Sequence, residues 1–211
     1  HLMPARPTIG YKEFNLNQDN FIFLGPNNKL QAKVNLVADD KTSVKIYSED
    51  DNPEMLQDLT VSLHQFNLNE VTSVLPYVPR MTGLLNGDFH IVQDQHRKFS
   101  VVSGLSVDNM TYEHSPLGNV ATEFIYLQKD NDAHAVEARL LRDDVEIGLL
   151  NGVYYNEGAG SLDAKLTLKR LPMAMANGFI PDQIFGFEGY ADGVVDIKGP
   201  LAKPIVNGEL K

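Results

Sequence analysis

The chain of 211 residues has no cysteine and no tryptophan. Without cysteine there is no disulfide, no thiolate metal site and no cysteine nucleophile, and the redox compartment is left open. Cations are scarce as well: 18 Lys and Arg stand against 28 Asp and Glu, a formal net charge of -10. A nucleic-acid backbone needs clustered Lys and Arg to displace its counterions, so this balance argues against DNA or RNA as a partner. No stretch approaches the ~18 apolar residues of a membrane-spanning helix, and no basic-then-apolar signal opens the chain. His1, Leu2 and Met3 read as a cloning remnant and the whole as a fragment, so the missing targeting segment says nothing about where the parent protein resides.

Convergent polar groups are also missing. His1, His64, His90, His96, His114 and His134 show no i,i+4 pair or other ligand spacing, which predicts no metal site. The acidic groups at Asp39-Asp40, Glu49-Asp50-Asp51 and Asp130 with Asp132 each adjoin turn residues and read as solvated turn carboxylates, because the oxygen-ligand loop calcium requires is absent. "GPLAKP" and "GPNN" lack the Gly-Lys-[Ser/Thr] of a phosphate loop, and no G-x-S-x-G elbow occurs. The expectation is a protein that is no enzyme and holds no cofactor.

What the chain does have is a period of two. In "KLQAKVNLVA", Leu30, Ala32, Val34 and Leu36 share one face and Lys29, Gln31, Lys33 and Asn35 the other. Val44 with Ile46 follows the same rule, as do Leu59, Val61 and Leu63, then Val136, Ala138 and Leu140. Val145, Ile147 and Leu149 alternate likewise, and so do Leu162, Ala164, Leu166 and Leu168. Turn-rich pieces between these runs predict roughly a dozen or more short strands joined as hairpins or meanders. Two segments depart from the pattern, "NLNEVTSVLPYVP" from Asn67 and "LPMAMANGFIPDQ" from Leu171, and each predicts a brief helix ending before Pro76 or Pro181. Met173 and Met175 then read as part of a small helix covering a sheet edge.

Part of the chain is written twice. "GLLNGDFHI" from Gly83 and "GYADGVVDI" from Gly189 share G-x-x-[ND]-G-x-[FV]-x-I. Aligning Leu63 with Leu168, Pro76 with Pro181, Gly87 with Gly193, Ile91 with Ile197 and Gly104 with Gly208 keeps one offset to within two residues. This predicts a repeat, with an N-terminal β segment over 1–56, a first unit over 57–160 and the start of a second over 161–211, joined as one continuous β structure. Glycine inside a strand marks a bulge, a sharp bend or a close backbone approach, so Gly83, Gly87, Gly189 and Gly193 are the expected bends. A strongly bent sheet has a concave side. Periodicity alone leaves two outcomes open: a trough with an apolar lining, or tandem β-sandwich-like repeats whose apolar faces close into a dry core.

The run from Leu171 to Lys211 resembles the recurring unit of the TamB family, within the AsmA-like group of Gram-negative envelope proteins. The resemblance rests on Leu171-Pro172, on Gly189 to Gly199, and on Lys203-Pro204 through Gly208 and Leu210. "HSPLGNVATEFIYL" from His114 and, more loosely, "SVVSGLSV" from Ser100 are similar to passages of the same kind. It implies an all-β chain whose long, curved sheet folds into a taco-like groove with a hydrophobic interior. It also implies a periplasmic segment of an inner-membrane-anchored protein that carries phospholipid between membranes. A link to outer-membrane protein assembly through an Omp85-type barrel comes with it. The lining would be Leu30, Ala32, Val34, Leu36, Leu59, Val61, Leu63, Val136, Leu140, Val145, Ile147, Leu149, Leu162, Leu166 and Leu168. The alternative is a non-enzymatic envelope scaffold that binds a partner protein by sheet-edge pairing. A glycan-binding sandwich is disfavoured by the lack of Trp, although 8 Tyr are present.

Overall fold

The computed structural model describes residues 6–9, 12–49, 52, 54–72, 80–113, 115–130, 133–156, 160–175, 187–200 and 202–211. Strand makes up 74 % of it and helix 5 %, so the class is all-β as the alternation predicts. The strands are β1 Thr8–Ile9, β2 Lys12–Glu13, β3 Asn15–Leu16, β4 Phe21–Leu24, β5 Leu30–Val37, β6 Ser43–Ser48, β7 Met55–Asn67 and β8 Met81–Asp94. They continue as β9 Phe99–Tyr112, β10 Ser115–Gln128, β11 Ala133–Arg142, β12 Val145–Tyr155, β13 Ser161–Pro172, β14 Tyr190–Pro200 and β15 Ile205–Leu210. Strands β1 and β2 form a small ribbon. The other thirteen build one antiparallel sheet in sequence order from β15 to β5, with β3 and β4 sharing the outer edge of β5, and it does not close into a barrel. The ladder runs unbroken past residues 56 and 160, through the pairings of β6 with β7 and β12 with β13.

Nearest-neighbour hairpins explain this order, and their turns are legible locally. Asp143 and Asp144 take φ of 48° and 64°, the left-handed pair that a two-residue hairpin turn requires and that Asp tolerates. Lys41 and Arg97, at φ 73° and 63°, close two wider hairpins. In these, Ala38 and Asp94 each donate to the backbone oxygen four residues on, and Asp94 Oδ1 accepts from the N–H of His96 and of Lys98.

Strands β7 to β14 are 10 to 14 residues long, which corrects the expectation of short strands. The physical reason is that the strands run on through bulges, which shift the register without ending the pairing. At Gln65, φ 53°, the β7–β8 register shifts between Leu63 and Phe66, and the freed N–H donates to Asn86 Oδ1 at 2.9 Å. Arg170, φ 48°, does the same in β13: the register shifts between Leu168 and Leu171 and its N–H donates to Asp192 Oδ1 at 2.9 Å. Asn109, φ 51°, donates to Asn119 Oδ1 at 3.1 Å across β9 and β10. The [ND] of the repeated motif is therefore the side chain that satisfies a bulge's backbone donor.

The repeat itself is structural. Leu63 stands opposite Gly87 as Leu168 stands opposite Gly193, and Leu59 opposite Ile91 as Ala164 opposite Ile197. One alignment needs correction. Gly104 pairs with Asp88, while Gly208 pairs with Val195, the counterpart of Phe89; the structural equivalent of Gly104 is thus Glu209, and that of Gly208 is Ser103. A one-residue slip moves a position to the other face.

The helix expectations fare differently. Helix α1 spans Leu68–Thr72, with the Thr72 hydroxyl donating to the Leu68 carbonyl at 2.9 Å; Pro76 lies outside the described residues. Leu171 and Pro172 are not helical but end β13, opposite Ala191 and Tyr190; a 3-10 turn over 173–175 follows, and the rest of the expected helix lies outside the described residues. Pairing with β14 holds Leu171 and Pro172 extended. Pro181 is again outside the described residues.

Two small cores are present, one on β5 to β7 and one where the ends of β8, β9 and β11 meet the start of β10. Phe14, Val34, Leu36 and Ala38 pack with Leu16, Val44, Ile46 and Phe66; Tyr112, Leu117 and Val120 pack with Met81, Met110, Leu140 and Met175. The chain exposes 13595 Å², whereas a compact monomer of 23.5 kDa would expose about 9,800 Å². The excess is what a mostly single-layer sheet leaves in contact with solvent.

Candidate functional site: the apolar face of the sheet

Because directly opposed residues of an antiparallel pair share a face, the register fixes which side chains line up across the strands. One row runs Val61, Phe89, Ser103, Phe124, Ala138, Leu150, Leu166 and Val195, from β7 to β14. Ile46 and Val34 extend it on β6 and β5. On one side lies Leu59, Ile91, Val101, Tyr126, Val136, Gly152, Ala164 and Ile197. On the other lies Leu63, Gly87, Leu105, Thr122, Leu140, Gly148, Leu168 and Gly193. None of these three rows contains a charged residue.

The opposite face carries the charges. Lys165 meets Asp196 at 3.9 Å, Lys198 meets Asp163 at 3.3 Å, Lys169 meets Glu146 at 2.5 Å and Arg139 meets Glu123 at 3.6 Å. The hydrogen bond from Lys169 holds the Glu146 carboxyl below its ordinary range. Such exposed pairs add little stability singly, but they fit only one register and so keep the apolar set on its own side.

The two faces differ in burial. Val102, Ile125 and Leu127, on the charged side of β9 and β10, are 49 %, 38 % and 43 % exposed, while Val101, Phe124 and Tyr126 beside them on the apolar side are half-buried. Among the apolar rows only Val34 and small residues such as Ser103 and Ala164 are fully buried. The rows are thus neither a dry core nor a fully exposed surface.

Most of the residues singled out from sequence meet on this face. Ala32, Val34, Leu36, Leu59, Val61, Leu63, Val136, Leu140, Leu166 and Leu168 fall within the rows or their continuation on β5. Leu30 lies at the β5 end beside Leu24, and Leu162 stands opposite Tyr154 and Gly199 at the margin. Leu149 does not join them: it pairs with Arg139 and Thr167, on the charged face. The cause is a register shift between Leu140 and Leu141, which places Ile147 in the bulge, buried at 5 %, and leaves Val145 beside the turn, 64 % exposed.

Among the expected bends, Gly83, Gly87 and Gly193 lie inside strands at φ 123°, 153° and 151°. A Cβ on Gly87 would sit 2.2 Å from the Gly104 carbonyl oxygen, and one on Gly193 would sit 2.0 Å from that of Glu209. Gly189, φ 86°, precedes β14 and has open space around it.

Sequence reasoning missed a margin of neutral polar and aromatic groups beyond the row that runs from Leu59 to Ile197. Gln57 opposes Gln93, and its amide brackets the backbone of Leu30 at 2.7 and 2.8 Å. Further along, the Tyr126 hydroxyl and His134 Nδ1 are 2.6 Å apart, and His134 is flanked by the rings of Tyr126 and Tyr154. A strand-by-strand search for the end of each apolar run finds these residues. On the charged side, an open depression of about 950 Å³ reaches from Lys45 and His64 to Glu123 and Asp144; its groups carry both signs and converge on no point. Among the described residues no three His, Asp or Glu side chains gather as a metal centre requires. His90 instead meets Asp58 at 2.7 Å, and Asp40 binds Lys12 at 2.7 Å.

No protein-family model, curated protein or solved structure matches this chain.

Proposed function

We propose that the apolar face carries the acyl chains of phospholipid, and that the chain is a periplasmic segment of an envelope protein of the TamB and AsmA-like kind, moving lipid between inner and outer membrane. The observation that carries this reading is a set of three charge-free rows crossing eight strands and largely half-buried. On this reading the apolar face is the inside of a curved sheet, where converging side chains shield one another and are less exposed than those on the charged face. Each methylene withdrawn from water gains ~0.8 kcal/mol, so a dozen give about 10 kcal/mol. Because the rows repeat strand after strand without a concentrated polar site, an acyl chain exchanges one contact for an equal one and slides. The resemblance of the repeated unit adds the setting: an inner-membrane anchor in the parent chain and an Omp85-type barrel as partner.

Native mass spectrometry of the purified chain tests this. Co-purified phospholipid, or binding of a labelled fatty acid, is expected. The double substitution Leu166→Asp with Leu168→Asp abolishes it, whereas Leu149→Asp, on the other face, leaves it intact. A wild-type chain that carries no lipid and binds no fatty acid refutes the proposal.

A further inference from the structure

The apolar face ends differently at its two margins. Toward one, Leu140 packs against Tyr112, Leu117 and Val120, all three buried. Toward the other, the next residues along β10, β11 and β12 are Gln128, His134 and Tyr154, opposed in one file. The first margin is sealed with apolar side chains and the second offers hydrogen bonds.

Two donors in this file are oriented by their neighbours. Gln128 Oε1 accepts from the Phe99 N–H at 3.3 Å, which turns the amide NH2 away from β9. The Tyr126 hydroxyl lies 2.6 Å from His134 Nδ1; when it donates to that nitrogen, the ring proton sits on Nε2, on the far side of the imidazole. The rings of Tyr126 and Tyr154, with centroids 5.8 and 5.9 Å from that of His134, hold the imidazole between them. Carboxylates do not compete for these donors. Asp130, two residues past Gln128, is tied to Lys98, and among the described residues His134 meets no Asp or Glu, unlike His90 and His96. Two neutral N–H donors on opposed residues, with no acid between them, suit the oxygens of an anion.

We infer that Gln128 and His134 take the phosphodiester of a phospholipid whose acyl chain runs from them along β10 and β11 toward Val120. The inference rests on the acyl-chain reading and adds where the head group sits and which way the tail points. Length supports that direction. Thr122 lies six residues before Gln128, about 20 Å of strand, and a tail filling one leaflet of a ~30 Å hydrocarbon core is about 15 Å long. Over that distance the tail meets Tyr126 with Val136, then Phe124 with Ala138, then Thr122 with Leu140, and it stops short of the buried Val120. Because both donors are neutral, the site holds the phosphate and leaves the group esterified to it unread.

Dodecylphosphocholine and dodecyltrimethylammonium, each below its micelle concentration, are titrated into the 211-residue chain; they share the tail and the quaternary ammonium and differ in the phosphate. His134→Phe keeps a ring between the two tyrosines and loses Nε2, and Gln128→Leu loses the NH2. Each weakens phosphocholine binding about tenfold and changes trimethylammonium binding by less than about twofold. NMR of the wild-type chain keeps the test decisive if a variant fails to fold. Dodecylphosphocholine shifts the His134 Nε2 and Gln128 side-chain amide resonances, whereas the ammonium amphiphile and inorganic phosphate do not. A nitroxide at the tail end of the phosphocholine broadens the Val120 amide more than those of Gln128 and His134. Binding of both amphiphiles that ignores the two substitutions and leaves Gln128 and His134 unshifted overturns the head-group assignment and spares the acyl-chain reading, while binding of neither overturns both. Equal shifts with inorganic phosphate, or broadening in the reverse order, also overturn the inference.

Discussion

Replacing Gly87 by Ala tests whether the strand glycines are required by the backbone or merely occupy it. Gly87 has φ 153°, and a Cβ there would meet the Gly104 oxygen at 2.2 Å and the Leu105 Cα at 2.8 Å. These atoms belong to the backbone of β9, which β10 holds on its other side, so no side chain can swing away. An L-residue forced into a sparsely populated conformation costs about 1–3 kcal/mol, and overpacking adds about 1–3 kcal/mol; the expected loss is about 3 kcal/mol or more. With a urea slope of about 2 kcal/mol/M, the unfolding midpoint falls by about 1.5 M. Gly104 is the internal control, because a Cβ there meets nothing within 4 Å; Gly104→Ala changes stability by less than about 0.5 kcal/mol. Gly193→Ala falls between the two, since its obstruction is β15, an edge strand free to shift. Equal midpoints for the Gly87 and Gly104 variants would refute the reasoning, because chain entropy alone treats both positions alike.

Two further outcomes follow from the same geometry. Asn86→Ala and Asp192→Ala each strand one bulge N–H, that of Gln65 or Arg170, and each lowers stability by about 1–2 kcal/mol; Asn86→Asp is nearly neutral, because Asp192 already does this job, and hydrogen exchange at the Gln65 and Arg170 amides reports the loss. Lys12, and after it Thr42, hold the Asp40 carboxyl at about 2, below its ordinary 3.8. The depressed value means that this stabilisation is present above about pH 4 and is lost as pH falls through about 2. Lys12 feels the reverse: desolvation opposes its charge, but Asp40 and Glu70 outweigh it and raise the ammonium above 10.5, so its share disappears only as pH rises beyond that. Asp40 is largely solvent-exposed, so the amplitude is small, and an NMR titration of its carboxyl against an Asp40→Asn chain measures it.

Alternation carried most of the face assignment. Leu30 to Leu36, Leu59 to Leu63 and Leu162 to Leu168 could be placed from the sequence because polar residues alternate with them and no bulge interrupts those stretches. Leu149 could not, since one extra residue between Glu146 and Gly148 reverses everything beyond it, and the pattern Val145, Ile147, Leu149 reads as perfect alternation. The single-residue slip between Gly104 and Gly208 has the same origin: small residues fall on both faces, and identity alone does not say on which. The [ND] position of the motif was visible, but its partner was not, because Gln65 and Asn86 are brought together only by pairing of β7 with β8. For the candidate site, the composition of the lining was legible and the arrangement of the described strands in one open sheet was not, since a closed sandwich writes the same alternation.

The hairpin-by-hairpin order of the sheet has a consequence for how the chain acquires it. Each strand from β6 onward finds its mate in the segment just made, so the ladder can be zipped progressively from one end without waiting for distant sequence, which favours rapid folding. The same arrangement limits cooperativity: a pull on the last strand peels β15 from β14 and leaves the interior intact, so damage at an edge stays where it occurs.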